Sequence, residues 1–334
     1  MRRRDTILAL LALGATAGPL AAGAQAQRAG PFRIGLLPDR TPAFREQIAA
    51  ALRDLGWLEG RDYQFVLTGY QGGDQIEEAA SRMVAASPDL ILMIHVTPYA
   101  IAARRLTSSI PIVMLFSGYP VEEGLAHSLA RPGGNVTGNT VYAGTGVWGK
   151  LAELLRDAKP SIKRIGVLWG YVEPAHTRKS IDPPHQEIRT AARSLGLAVN
   201  IVEVPSPDRT PAAIDAIDKE RPDALLVAAG QRIGAQAKLV TQYAVAKRLP
   251  MIVDIRWQAA IEPYPLLVYG ASVPDLFRQA VSYVVRILRD GARPSELPIQ
   301  QPAKFELVVN LKTAKAIGLK LPQSILVRAD EVIE

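Results

Sequence analysis

Short apolar runs and amphipathic stretches alternate along the chain. Arg33-Ile34-Gly35-Leu36-Leu37, Tyr63 to Leu67, Leu90-Ile91-Leu92-Met93 and Ile110 to Met114 are apolar runs bounded by Pro or Gly. That composition predicts strands buried on both faces, as in parallel sheets. Between them, Phe44 to Leu55 is amphipathic and stops at Gly56, which predicts a crossover helix with a glycine C-cap. The same order then recurs as Arg164-Ile165-Gly166-Val167-Leu168, a helix over Gln186 to Leu195 ending at Gly196, Val199 to Val204, Pro222 to Val227 and Leu249 to Val253. Arg164 follows Arg33 by 131 residues, Gly196 follows Gly56 by 140, Pro222 follows Pro88 by 134 and Pro250 follows Pro111 by 139. So steady an offset predicts duplication of a whole β-α-β-α-β-α-β unit. The fold class expected is α/β, two doubly wound parallel-sheet lobes.

Glycine and small polar residues from Gly133 to Gly146 mark a connection between the halves. Near Tyr269 to Pro274 the chain leaves the second unit, and a helix over Pro274 to Arg289 and a Pro-rich stretch, Arg293 to Pro302, follow. The tail carries a strand (Phe305 to Asn310) and a helix (Leu311 to Gly318). The expected lobes are 31–143 plus about 270–300, and 144–269 plus about 303–334. A chain that crosses between lobes more than once builds a multi-strand hinge, which permits closure while restraining twist.

The first 26 residues read as an address. Arg2-Arg3-Arg4 precedes an apolar stretch from Ile7 to Ala22, broken by Gly14, Gly18 and Pro19, and small residues then offer cleavage near Ala24 or Ala26. A charged start, a short helix-breaking core and an A-x-A site predict an export signal, by the general or the twin-arginine route. The stretch is shorter than the ~20 residues of a spanning helix. The expected location is a bacterial periplasm.

Composition narrows the chemistry. No cysteine occurs among the 334 residues, which excludes disulfide scaffolds, thiolate metal sites, thiol catalysis and a lipid-modified cysteine anchor. The net charge is +7, yet past the N-terminus basic residues come at most as pairs: Arg104-Arg105, Lys163-Arg164, Arg178-Lys179 and Lys247-Arg248. Without clustering or aromatic interleaving they predict a mildly basic solvated surface and no nucleic-acid partner. Neither Arg33 to Phe44 nor Arg164 to His176, the segments that follow the first strand of each half, carries G-x-G-x-x-G, and no G-x-S-x-G or G-x-x-x-x-G-K-[ST] loop occurs. His176 and His185 lack acidic partners at ligand spacing and read as surface or loop residues, while His95 in an apolar strand reads as core. Neither a metal nor a cofactor is expected.

In open α/β sheets ligands bind beyond the carboxyl ends of the strands. In the first lobe that rule selects Asp39 and Thr41, then Thr97 and Tyr99, then Ser117 and Tyr119. In the second it selects Trp169 and Tyr171, Gln231 and Arg232, and Asp254 and Trp257, with Tyr269 at a crossing. In a chain with only 6% aromatics, these rings predict a cleft with flat apolar walls; packing between lobes is the alternative. Thr97-Pro98 is a good helix start, with Thr as N-cap and Pro at the first position, and such a start favours an anion. A plain cap explains it equally. Asp39 and Asp254 read as ligand-amine contacts or caps, and less readily as an acid/base pair.

Ser128-Leu129-Ala130-Arg131-Pro132-Gly133-Gly134-Asn135-Val136-Thr137-Gly138 closely resembles a signature of ABC-transporter substrate-binding proteins of the tryptophan/tyrosine-binding type. Thr97 to Ala103, Ile110 to Val113, Lys304 to Lys315 and Arg328 to Ile333 resemble the same family, in order over essentially the whole mature chain. The resemblance implies a type I periplasmic-binding fold, a ligand held between two closing lobes, and delivery to an ABC permease and its ATPase in the inner membrane. In one respect the chain departs from the family, whose members usually have Asp-Pro where this sequence has Tyr119-Pro120. A phenol of ordinary pKa ~10 supplies no charge to a ligand ammonium. An amino-acid ligand would then need Asp39, Asp254 or Glu173, whereas Arg40, Arg232 and Arg256 favour a carboxylate. The function expected is a monomeric, non-enzymatic solute receptor for a small carboxylate-bearing ligand, aromatic or amino-acid-like. Rival readings are a periplasmic sensor feeding a membrane kinase or chemoreceptor, and a periplasmic enzyme using Asp39 or Asp254.

Overall fold

The computed structural model describes residues 30–334 apart from 39–41, 70–74, 95–96, 142–145, 171–177, 229–232, 235 and 255–263, and only the backbone of 178–180. The first lobe carries β1 (Phe32–Leu37), α1 (Pro42–Asp54), β2 (Tyr63–Val66), α2 (Ile76–Ala85), β3 (Leu90–Met93), α3 (Thr97–Leu106), β4 (Ile112–Ser117) and β5 (Val136–Thr140). Its sheet has the order β2-β1-β3-β4-β5, with every pairing parallel. The second lobe carries α4 (Val147–Ala158), β6 (Arg164–Trp169), α5 (Arg178–Ser194), β7 (Ala198–Glu203), α6 (Thr210–Lys219), β8 (Ala224–Ala228), α7 (Ala237–Ala246), β9 (Met251–Val253) and β10 (Leu267–Ala271). From β7 to β10 its sheet repeats the first topology, as β7-β6-β8-β9-β10.

After β10 the chain passes to the first lobe, where α8 (Val273–Leu288) lies against β4, β5 and α1. It then returns to add β11 (Phe305–Asn310), α9 (Leu311–Ala316), α10 (Gln323–Leu326) and β12 (Glu331–Ile333) beside β10. Because β11 arrives from the opposite end, it runs antiparallel to β10, and the second sheet is mixed at that edge.

The duplicated motif has a mechanical reason. Gly35 in β1 and Gly166 in β6 sit where a helix and a proline crowd the strand: a Cβ would meet Met83 and Pro88 in one case, Ile217 and Pro222 in the other. The aspartates after those prolines tie the strand start down. Asp89 Oδ2 accepts the Arg33 N–H at 2.7 Å, and Asp223 Oδ2 accepts those of Lys163 and Arg164, each at 2.9 Å. Ser87 and Arg221, each just before its proline, hold matching positive φ values of 49° and 48°.

The structure departs from the sequence expectation between Gly133 and Gly146. That stretch holds β5, buried along its whole length although it reads Val-Thr-Gly-Asn-Thr. Its side-chain donors Thr137 Oγ1 and Asn139 Nδ2 find acceptors in the backbone of the segment returning through the hinge, while Asn139 Oδ1 is buried without a hydrogen-bond partner among the described residues. Thr137 Oγ1 donates to the Leu297 carbonyl at 2.8 Å, and Asn139 Nδ2 donates to the Leu276 carbonyl at 2.7 Å. Gly138, at φ +129°, passes so close to Met114 that a Cβ would collide with its backbone oxygen and nitrogen. The second departure is α5, which starts at Arg178 rather than after Pro183 and Pro184 and carries both prolines inside it.

One apolar core covers one face of each sheet and runs through the hinge, joining Phe116 and Val141 to Trp148 and Trp169. Separate clusters cover the opposite faces, around Met83 and Met114 in the first lobe and around Ile217 and Val240 in the second. Helix α4 opens the second lobe at the hinge, and a carboxylate from α5 caps it. Glu187 Oε1 accepts the N–H groups of Gly146, Trp148 and Gly149 at 2.6, 3.0 and 3.3 Å, which also sets a negative charge at the positive end of the helix. No helix among the described residues is long and apolar enough to cross a membrane.

Two outcomes follow for stability. Gly138→Ala meets rigid backbone at a left-handed φ and should cost about 3 kcal/mol or more in urea unfolding. Gly35→Ala meets the flexible end of Met83 and should cost clearly less; equal losses would refute this account of β5. Glu187→Ala should cost about 1–2 kcal/mol and Glu187→Gln less, since the amide oxygen still accepts.

Candidate functional site

Each parallel sheet delivers the carboxyl ends of its strands to the gap between the lobes, and β4 and β9 place the described polar groups there. Ser117 ends β4 where its register against β5 shifts; the residue is 2% exposed and its Oγ has no hydrogen-bond partner among the described residues. The next two residues, Gly118 and Tyr119, extend into the gap. Asp254 follows β9 directly and is 4% exposed. A cavity of about 200 Å³ lies between the lobes, lined on one side by Gly118 to Glu122 and Thr140 and on the other by Pro183, Pro184 and Glu187.

Tyr119 makes the direct polar link. Its hydroxyl oxygen accepts the Trp148 indole N–H at 3.2 Å, so the bond joins the loop after β4 to the first turn of α4. Burial pushes the Tyr119 phenol far above its ordinary value; the Trp148 bond opposes that shift, while the carboxylates of Glu187, Asp254 and Glu122 reinforce it. Tyr119 therefore stays neutral across the physiological range. Behind it the rings continue in contact. Trp148 and Trp169 have centroids 4.9 Å apart, His185 stands edge-on to Trp169 at 4.6 Å, and His185 Nδ1 lies 4.0 Å from Glu203 Oε1.

The structure brings together Ser117, Tyr119, Trp169 and Asp254 of the residues singled out from sequence. Trp169 is not at the surface of a wall: it is 1% exposed, with Trp148 on one side and His185 on another. Tyr99 is buried in the first-lobe core with Met93 and Met114, and Thr97 is buried as the first residue of α3, with Pro98 beside it in the opening turn. Tyr269 stacks on Phe305 at 5.6 Å, and the charges near it are those of Lys150, Arg328, Asp330 and Glu153. Asp39, Thr41, Tyr171, Gln231, Arg232 and Trp257 lie outside the described residues, as do His95, Arg40, Glu173 and Arg256.

Sequence reasoning missed Trp148, Glu187 and His185. His185, expected on a surface or loop, is 9% exposed in α5, because the prolines before it do not end the helix and its ring turns onto Trp169. Trp148 carried a usable signal: an aromatic residue in the opening turn of the helix that leaves the hinge. Among the described residues no group of three or more His, Cys, Asp or Glu side chains could hold a metal ion.

This geometry can be set beside known proteins. The model of the family described as ABC transporter substrate binding protein matches residues 39–333. A tyrosine-binding protein of Clostridioides difficile is 27% identical over 271 residues, 81% of this chain and 75% of the relative. Among solved structures, an ABC domain in complex with L-Trp from Streptococcus pneumoniae shares the fold at a TM-score of 0.75 and 23% identity, over 90% of this chain and 100% of that one. A ligand-free, open substrate-binding protein with adhesive properties from Clostridium difficile matches at a TM-score of 0.67 and 24% identity, over 91% of this chain and 99% of that one. Two parallel-sheet lobes meeting at a hinge are the type I periplasmic-binding architecture, and with the family model spanning both lobes, the chain belongs to the ABC transporter substrate-binding proteins.

Proposed function

We propose that this protein is the extracytoplasmic receptor of an ABC importer and holds a small carboxylate-bearing ligand, aromatic or amino-acid-like, between its lobes. The observation that carries the reading is the junction at Tyr119 and Trp148. There a buried polar contact between the lobes borders a cavity instead of a continuous apolar seal. Ligand contacts made by both lobes exist only when the lobes are closed, so they shift the population toward the closed form. Micromolar affinity needs about 8 kcal/mol net, a sum within reach of aromatic contacts, buried apolar area and one charge-assisted bond.

The names of two relatives support an aromatic amino acid as the first ligand to try: one is a tyrosine-binding protein, and the other was solved with L-Trp. Tyr119 favours a neutral hydrogen-bonding contact at its position, and the buried carboxylate of Asp254 nearby is the described group suited to a ligand ammonium. Residues 1–26 act as the export signal in this reading, with the mature protein handing its ligand to a permease and its ATPase.

Calorimetry and small-angle scattering with L-tyrosine, L-tryptophan and aromatic carboxylates lacking the amine test the proposal. The expected result is micromolar binding of at least one compound, accompanied by ligand-dependent compaction. Tyr119→Phe, which keeps the ring, should weaken that binding by about tenfold, or 1.4 kcal/mol. Absence of both binding and compaction with every compound in a broad metabolite panel would overturn it.

A further inference from the structure

We propose that the end of the second lobe farthest from the cleft is a docking surface for anionic phospholipid headgroups, assembled from cations that are scattered in sequence. The parallel strands β7, β6, β8 and β9 start at one edge, since Arg164 is in register with Ala198, Ile165 with Ala224 and Leu225 with Met251. Neighbouring strands stand about 4.8 Å apart, so the four starts span about 15 Å. Helices α4, α5, α6 and α7 finish at the same edge, because short connections join each to the strand that follows.

Lys159, Lys163 and Arg164 occupy the first connection and the strand start beyond it, Arg193 lies in the last turn of α5 before the second, Lys219 ends α6 with Arg221 in the third connection after it, and Arg248 lies in the fourth. All are exposed except Lys159, which is half-buried, and among the described residues none of these side chains forms an ion pair or hydrogen bond. The acids of this edge are largely engaged. Asp157 pairs with Arg328, Asp218 with Lys247 and the Tyr243 hydroxyl, and Asp223 accepts backbone N–H groups. Glu220 is the acid left exposed. On the corresponding edge of the first lobe most arginines are occupied: Arg33 donates to the Ala86 and Ser87 carbonyls, Arg61 pairs with Asp62, Arg82 with Glu78 and Arg105 with Glu77, which leaves Arg53 and Arg131 as exposed cations among the described residues.

Helix dipoles account for Arg193 and Lys219, which sit in last helical turns, but not for the five cations in connections or at a strand start. Free point charges spread over a broad face match a laterally extended layer of negative charge, to which each cation adds attraction. Nucleic acid fits less well, because among the described residues this edge has no exposed stacking platform: Tyr243, beside these cations, is half-buried with its hydroxyl tied to Asp218. Held by this end, the protein would stay at the bilayer with its cleft turned away and free to collect solute. That the bilayer is the transporter's rests on the proposed function; vesicle binding needs neither ligand nor transporter and so fails independently of it.

The test is sedimentation of the mature protein with phosphatidylcholine vesicles with and without about one third phosphatidylglycerol, at low salt and at roughly 0.3 M salt, where screening is strong. The wild type should sediment with the anionic vesicles alone and lose about tenfold in affinity at the higher salt. Combined Lys159→Gln, Lys163→Gln, Arg193→Gln and Lys219→Gln should cause a loss of about the same size. Combined Arg45→Gln, Arg53→Gln, Arg105→Gln and Arg131→Gln on the first lobe removes equal charge and should change binding by less than about twofold. Circular dichroism verifies folding of both variants; if the second-lobe set misfolds, Lys163→Gln and Lys219→Gln singly should each give a smaller loss. No wild-type binding at low salt, equal losses in both variants, or preference for short duplex DNA over the vesicles would overturn the proposal.

Discussion

The buried polar strand β5 is the constraint on which the two-lobed arrangement depends. A strand reading Val-Thr-Gly-Asn-Thr has little apolar area to contribute, and each unpaired amide or hydroxyl within it would cost about 1–3 kcal/mol. The Thr137 hydroxyl and the Asn139 amide nitrogen avoid that cost by donating to carbonyls of Leu297 and Leu276, which belong to chain that has already visited the second lobe. The first sheet is thus completed by residues that arrive more than a hundred positions later. The Gln300 backbone joins the same edge, donating to Gly138 and accepting from Thr140. Where the crossings lie side by side, the lobes hinge.

From that edge the chain's chemistry is set out in two directions. Toward the gap, the parallel strands present their carboxyl ends, and Ser117, Tyr119 and Asp254 stand there with Trp148 and Glu187 facing them from α4 and α5. Away from it, the strand starts of the second lobe gather basic residues at a free edge. A parallel sheet produces this polarity automatically: every strand points the same way, so its two ends collect different sets of loops. The ring sequence Tyr119, Trp148, Trp169 and His185 shows how the gap side is stiffened, because large buried rings hold the loop after β4 against the opposite lobe.

Much of this was legible in the amino-acid order. The repeated Arg-Ile-Gly and Pro-Asp motifs disclose the duplication because each is a local packing requirement. Gly35 and Gly166 yield to a helix, and Asp89 and Asp223 tie down the strand beside them. Alternation of apolar runs and amphipathic stretches determined the α/β class for the same reason, since periodicity records which faces are buried. The rule that ligands sit beyond carboxyl strand ends located Tyr119 and Asp254 from strand positions alone.

Only the tertiary structure decided which polar residues are interior. Asn139 and His185 look solvent-facing by type, yet one is bonded to a helix carbonyl and the other packed on an indole, and both partners lie far away in sequence or on another element. It alone turned Trp169 from a cleft wall into a buried ring and set Tyr269 against Phe305. It also gathered lysines and arginines that are scattered along the sequence into one free edge. The order of residues encodes period and local clash, which act over a few positions; partners for buried polar groups and the summing of charge are set by distance in space, and that exists only once the chain has folded.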